Sequence, residues 1–147
     1  MDKWDARFME VARLVAAWSK DPSTKCGAVI ASTDRTIIST GFNGLPRGVE
    51  DREEILNDRE LKYQCTIHAE ENAILNAATR GVLRGCSIYI HPIPPCSNCA
   101  ARIIQAGITR VVFRAGEIPD HWKKSMEIAK GMMSDAGLDV IVLETQV

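Results

Sequence analysis

Residues 86–104 read CSIYIHPIPPCSNCAARII and predict a β-strand that is followed, after a short loop, by an α-helix. The first five residues are rich in β-branched and aromatic side chains, which predicts a strand. Prolines at 92, 94 and 95 predict a stiff loop that brings Cys96 to the start of a helix. Apolar residues at 100, 103 and 104 form the buried side of that helix, and Gly107 ends it. A strand followed directly by a helix is typical of an α/β fold.

The C-terminal third continues this order. Residues 110–113 (RVVF) and 140–143 (VIVL) predict the fourth and fifth strands. The helix between them begins at Pro119-Asp120, keeps its apolar residues on one side and ends at Gly137. A helical connection between two strands makes them parallel, with a right-handed crossover. The apolar residues of this helix are Trp122, Met126, Ala129 and Met133.

The N-terminal half supplies the remaining elements. Apolar residues at three- and four-residue steps from Trp4 to Trp18 predict an amphipathic helix that covers one face of the sheet. Residues 27–31 and 36–41 predict an antiparallel hairpin, and the alanine-rich residues 68–80 predict a helix. The elements together predict a single domain over residues 1–147, a three-layer α/β/α sandwich around a mixed five-stranded sheet.

Composition limits the classes of function. The 147 residues carry 18 Lys and Arg against 19 Asp and Glu, a net charge of −1, so no cationic field draws the protein to nucleic acid. The sequence has no apolar run long enough for a bilayer, and its N-terminus lacks the pattern of a signal peptide. Its five cysteines are an odd number, which does not favour a disulfide framework. We expect a cytoplasmic protein that acts on a small substrate, without a nucleic-acid or membrane partner.

His68, Cys96 and Cys99 offer one nitrogen and two sulfur donors. This donor set suits a Zn²⁺ ion whose fourth position stays open to water. All three donors fall at predicted helix starts, where the helix dipole favours thiolates and other anions. Glu70 follows His68 by two residues in the first helical turn, where its carboxylate can exchange protons with water without binding the metal. The sequence therefore predicts a catalytic zinc site.

A closed structural zinc site is the alternative, with Cys65, Cys86 or His91 as the fourth ligand. Such a site has no role for the carboxylate of Glu70, so the pattern favours catalysis. The motif H-x-E followed by P-C-x-x-C is typical of zinc-dependent deaminases that attack C4 of cytosine or C6 of adenine. The predicted reaction is hydrolytic deamination. In it, zinc hydroxide adds to C4 of a cytosine ring while Glu70 carries protons to N3 and to the departing ammonia.

Two other segments contain no motif that identifies a catalytic or metal-binding role. Residues 41–48 (GFNGLPRG) place Asn43 at the end of a strand, either as a turn residue in the left-handed conformation or as a binding residue. Residues 49–61 are dense in charge, which predicts a solvated surface helix or loop. The same segment could form a lid over the site. Glu71 is expected outside the site, because it is rotated around the helix axis from Glu70.

Four segments that run in order along nearly the whole chain resemble the cytidine and deoxycytidylate deaminase superfamily. The zinc motifs belong to the whole superfamily. The segment at 41–46, with a long insertion before His68, resembles the deoxycytidylate (dCMP) deaminases more than the tRNA adenosine or guanine deaminases. The four segments are residues 21–28 (DPSTKCGA), 41–46 (GFNGLP), 68–74 (HAEENAI) and 95–100 (PCSNCA).

The resemblance implies a zinc-dependent enzyme of pyrimidine nucleotide metabolism that converts dCMP to dUMP. It also implies one zinc ion per chain, bound by His68, Cys96 and Cys99, with Glu70 as the residue that transfers protons. Asn43 would then contact the sugar, and phosphate contacts are expected near Lys25 and Arg47. Tyr63 matches an aromatic residue of the family, whereas Cys65 stands where family members commonly have tyrosine. Family members are often homohexamers, many of them regulated by dCTP and dTTP, so the resemblance implies a homo-oligomer with these effectors.

Three alternatives stay open. The chain could deaminate another free cytosine or purine nucleoside, nucleotide or base. It could instead edit a polynucleotide, although an editor is expected to carry a basic track and the balanced charge speaks against one. It could also be a non-catalytic relative that binds nucleotides without turning them over.

Overall fold

The computed structural model describes residues 2–79 and 81–144, which contain six helices and five strands. The strands are β1 (Gly27–Ala31), β2 (Ile37–Phe42), β3 (Ser87–His91), β4 (Arg110–Arg114) and β5 (Asp139–Leu143). They form one sheet in the order β2-β1-β3-β4-β5. Strand β1 is antiparallel to both β2 and β3, whereas β3, β4 and β5 are mutually parallel. The predicted mixed five-stranded sheet is therefore confirmed. The helices are α1 (Lys3–Ala16), α2 (Glu53–Leu56), α3 (Arg59–Cys65), α4 (Ala69–Asn76), α5 (Ser97–Gln105) and α6 (Asp120–Asp135).

Two apolar cores lie on opposite faces of the sheet, because alternate residues of a strand point to opposite faces. In β1, Val29 and Ala31 belong to the core beneath α1, together with Phe8. Ala28 and Ile30 belong to the larger core, which is completed by α4, α5 and α6. Helices thus cover both faces of the sheet, as a parallel sheet requires. The three-layer α/β/α arrangement agrees with the prediction.

The first helix is shorter than its apolar pattern suggested. Asp2 caps it by accepting a hydrogen bond from the backbone N–H of Trp4 at 2.7 Å, and the helix ends at Ala16. Trp18 therefore lies beyond the last turn, is 55% exposed and packs edge-on against Phe42 with ring centroids 6.2 Å apart. Including Trp18 in the buried stripe was wrong, because a residue outside the helix does not follow its periodicity.

One further segment differs from expectation, and the charge-rich segment agrees with it. The helix predicted over residues 68–80 is α4, which spans Ala69–Asn76, and Arg80 lies outside the described residues. The charge-rich segment contains α2 and the start of α3. Within the described part of the chain, the structure contains no helix that is both long and apolar enough to span a membrane.

Candidate active site

Two helix starts bring the predicted zinc donors together. His68 is the N-cap residue of α4, and Cys96 is the N-cap residue of α5, with Cys99 in the first turn of α5. The position of α4 depends on a glycine: a Cβ at Gly41 of β2 would lie 2.5 Å from the carbonyl oxygen of Ala69. The absence of a side chain therefore lets α4 lie directly on the sheet.

The three donors have the separations that a single metal ion requires. His68 Nδ1 lies 3.5 Å from Cys96 Sγ and 3.3 Å from Cys99 Sγ, and all three atoms lie within 4.8 Å of one another. Tetrahedral zinc with ordinary Zn–N and Zn–S bonds places such atoms about 3.6 Å apart. These donors form the metal-binding cluster found among the described residues. The residues therefore fit a zinc ion held by three protein ligands.

The protons of the donor cluster are coupled. The hydrogen bond between the two sulfurs lowers the pKa of Cys96 and raises the pKa of Cys99, because one proton is shared by two thiols. The contact with Cys96 also raises the pKa of His68. The pair therefore loses its first proton more easily than an isolated thiol does, and a cation in the cluster would favour the loss of the second proton.

The carboxyl group of Glu70 is buried beside these donors, with 6% of the residue exposed. Burial raises the pKa of Glu70 to about 7, although the charge of His68 acts in the opposite direction. A carboxyl group in this state can either accept or donate a proton. Glu71 points elsewhere, because its carboxylate pairs with Arg102 of α5 at 2.5 Å.

A cavity opens onto Glu70 and two of the metal donors, His68 and Cys96. Its walls come from the loop before β1, from α3, from residues 93–94 and from the start of α6. Cys26 also contributes to its wall, but burial raises the pKa of that thiol to about 12, so it stays protonated. The lining residues are Asp21, Ser23, Thr24, Cys26, Asn43, Arg59, Lys62, Tyr63, Thr66, His68, Ala69, Glu70, Ile93, Pro94, Cys96, Pro119, His121, Trp122 and Met126.

Asn43 lines this cavity and also holds one of its walls in place. Its Oδ1 accepts a hydrogen bond from the backbone N–H of Cys26, and its Nδ2 donates to the carbonyl oxygen of Thr24, both at 2.8 Å. The left-handed turn considered from sequence is absent at this residue, since Arg35 is the non-glycine residue with positive φ in the described ranges. Asn43 is therefore a buried cross-link between β2 and the loop before β1.

The other predicted substrate-binding residues divide into two groups. Tyr63 lines the cavity, and its ring packs against Trp122 with centroids 5.9 Å apart. Lys25 and Arg47 are exposed and do not line the cavity. Arg47 donates a hydrogen bond to Asn76 Oδ1 at 2.8 Å. The structure thus brings Tyr63 and Asn43 to the site and leaves the two predicted basic residues outside its wall.

Sequence reasoning missed several residues of the cavity wall. Arg59 lies in the charge-rich segment 49–61, which reads as solvated surface, and Lys62 directly follows that segment. The spacing of both residues with Tyr63 puts all three on one side of α3. Trp122 was assigned to a buried helix face, but its ring lies 5.9 Å from the ring of His68. His121 also lines the cavity, and its Nε2 lies 3.4 Å from the Tyr63 hydroxyl.

Comparison with known proteins agrees with this geometry. The curated relatives include an uncharacterized deaminase from the luxG 3′ region of Aliivibrio fischeri, 46% identical over 95% of this chain and 93% of the relative. Deoxycytidylate deaminase from Homo sapiens is 41% identical over 80% of this chain and 68% of its own length. Among solved structures, the apo dCMP deaminase of cyanophage S-TIM5 has a TM-score of 0.77. It is 22% identical and covers 97% of this chain and 99% of its own, which supports the fold.

The family assignment rests on most of the chain. The family model described as the cytidine and deoxycytidylate deaminase zinc-binding region matches residues 2–115. That range includes the three metal donors, Glu70 and every strand but the last. The chain therefore belongs to the cytidine and deoxycytidylate deaminase family.

Proposed function

We propose that this protein catalyses the zinc-dependent hydrolytic deamination of dCMP to dUMP, with release of ammonia. The observation that carries the proposal is the cluster of three donors, His68, Cys96 and Cys99. Two of them, His68 and Cys96, line the same cavity as the buried carboxyl group of Glu70. A metal site with three protein ligands leaves one position for water, as catalysis requires. The similarity to deoxycytidylate deaminases supports dCMP as the substrate.

The chain's own residues account for the proton transfers. Zinc held by these donors would supply a Lewis acid that lowers the pKa of a water ligand to about 7. Glu70 accepts a proton from the attacking water and delivers it to N3 of the cytosine ring. It then moves the second proton of that water to the exocyclic nitrogen. The new bond joins oxygen to C4 and the bond from C4 to nitrogen breaks, so the products are dUMP and ammonia.

Substrate binding involves the cavity wall. In this proposal Asn43 contacts the sugar, and Tyr63 packs against the nucleotide, since both line the cavity. Lys25 and Arg47 stay predicted phosphate contacts, based on resemblance alone. Resemblance likewise supports a homo-oligomer, regulation by dCTP and dTTP, and a cytoplasmic place in dUMP biosynthesis.

The test is ammonia release by zinc-loaded protein with dCMP, CMP, dCTP, deoxycytidine and guanine. We expect dCMP to give the highest kcat/KM. Glu70→Gln should keep its zinc and lose about a hundredfold or more in kcat, because proton transfer contributes about this much. Glu71→Gln is the matched control, since Glu71 pairs with Arg102 instead. Full activity in Glu70→Gln, or the absence of deamination with every substrate, would contradict the proposal.

A further inference from the structure

Helix α3 presents three residues to the cavity on one side. Arg59, Lys62 and Tyr63 are three and four residues apart, which places them on one face of a helix, and all three line the cavity. We refer to these three residues as the α3 stripe. The stripe offers two cations and a hydroxyl group to a site whose lining includes only two carboxylates in the described chain, Asp21 and Glu70.

Lys62 is a buried cation with an unused donor. Its residue is 7% exposed, and its Nζ lies 3.2 Å from Asp21 Oδ1 and 3.2 Å from Ser23 Oγ. An ammonium group carries three N–H donors, so these two contacts leave one donor available on a side chain that lines the cavity. Asp21 holds this ammonium in place and also accepts hydrogen bonds from the backbone N–H groups of Ser23 and Thr24.

Arg59 has fewer polar partners than Lys62 among the described residues. Its Nε donates to the Tyr63 hydroxyl at 3.2 Å, and no carboxylate pairs with it among the ion pairs of the described residues. The guanidinium therefore keeps most of its donors for a ligand. Arginine binds phosphate through paired, charge-assisted hydrogen bonds, and a lysine ammonium adds a compact charge. An arginine, a lysine and a hydroxyl on one wall match a phosphate group in both charge and donor number.

Trp122 connects the stripe to the metal donors. Its ring lies 5.9 Å from the ring of Tyr63 and 5.9 Å from the ring of His68. The same cavity therefore contains a group that can react with a base and, beyond one indole, a group that can bind an anion. In a nucleoside monophosphate the reactive base and the phosphate are likewise two separate groups, joined by the sugar.

We propose that the α3 stripe binds the 5′-phosphate of the substrate and so selects a nucleoside monophosphate over a nucleoside. This inference rests on the proposed function and deepens it, because it assigns phosphate recognition to Arg59 and Lys62. Both differ from the basic residues predicted from sequence, Lys25 and Arg47, which do not line the cavity.

The test compares dCMP with deoxycytidine in steady-state kinetics. Arg59→Gln should raise KM for dCMP about tenfold or more, because a charge-assisted hydrogen bond to phosphate is lost. The same variant should leave kcat/KM for deoxycytidine unchanged. Inorganic phosphate should inhibit the wild-type enzyme competitively, and its inhibition constant should rise in the variant. Lys62→Gln should act in the same direction, with circular dichroism checking its fold because Asp21 loses its partner.

Arg52→Gln is the matched control, since Arg52 pairs with Glu50 on the surface and does not line the cavity. An unchanged KM for dCMP in Arg59→Gln, with an active wild-type enzyme, would overturn the assignment of the α3 stripe alone. A tenfold rise in KM for Lys25→Gln or Arg47→Gln, without one for Arg59→Gln, would do the same and place the phosphate at those residues. A wild-type enzyme that deaminates none of the cytosine substrates would overturn the proposed function as well.

Discussion

Cys96 and Cys99 differ from the other cysteines because their sulfur atoms lie close to a histidine nitrogen. Both come within 3.5 Å of His68 Nδ1, whereas the remaining three cysteines lie outside the donor cluster of the described residues. At this scale the identity of a single atom decides whether zinc is bound, because thiolate sulfur is a far better zinc ligand than a hydroxyl oxygen.

Cys99→Ser should therefore lower zinc affinity by at least about a hundredfold and abolish deamination. A hydroxyl group stays protonated at neutral pH, so the site loses both a charge and a soft ligand. Zinc affinity is measured by competition with a chromophoric chelator. Cys65→Ser is the control, and it should retain its zinc. Equal zinc loss in the two variants would instead indicate a closed structural site with Cys65 as the fourth ligand.

At the scale of elements, the site depends on how closely α4 lies against the sheet. The two donor helices, α4 and α5, begin at neighbouring N-cap residues. Of the two, only α4 packs against β2 at a glycine, Gly41. Since His68 and Glu70 both sit at the start of α4, any outward shift of this helix moves a ligand and the proton-transfer group together.

Gly41→Ala should lower the free energy of unfolding by about 2 kcal/mol or more, because the new Cβ would lie 2.5 Å from the backbone oxygen of Ala69. Zinc affinity should fall with it. Gly44→Ala, three residues further along the chain, is the matched control, because an added Cβ there meets no atom within 4 Å. Urea unfolding and zinc titration of both variants check this. Two variants of equal stability would show that the approach of α4 is not limited by Gly41.

The sequence predicts most of the elements but not the orientation of the α3 stripe. The strands, the hairpin and the two donor helices could be predicted, because periodicity and turn residues report local structure. The metal donors and Glu70 could be predicted as a site because their spacing is itself the motif. The side that Arg59 and Lys62 face could not be predicted, since a short charged helix reads as surface until the elements opposite it are placed.

At the scale of the whole molecule, one ion pair joins the first helix to the fourth strand. Arg110 donates to both carboxylate oxygens of Asp5 at 2.7 Å, and the Tyr89 hydroxyl donates to Oδ1 at 3.0 Å. Asp5 is 1% exposed. Neither the pairing nor its burial is visible in the sequence, because the two residues are 105 positions apart. The pair fixes α1 to the sheet on the face opposite the active site.

This ion pair predicts how stability depends on pH. The hydrogen bond from Arg110 lowers the pKa of Asp5, so its contribution is complete above the unfolded value of about 3.9 and is lost as the pH falls through the folded pKa. Asp5→Asn should lower the free energy of unfolding by about 3 kcal/mol at neutral pH, because Arg110 loses a buried partner. The difference from wild type should shrink below about pH 3.9.

Asp139→Asn is the control: its side chain is 65% exposed and 3.6 Å from the same arginine, so it should lower the free energy of unfolding by at most about 1 kcal/mol. Urea unfolding across this pH range checks both variants, and a difference for Asp5→Asn that stays constant with pH would show that packing, and not charge, holds α1 to the sheet.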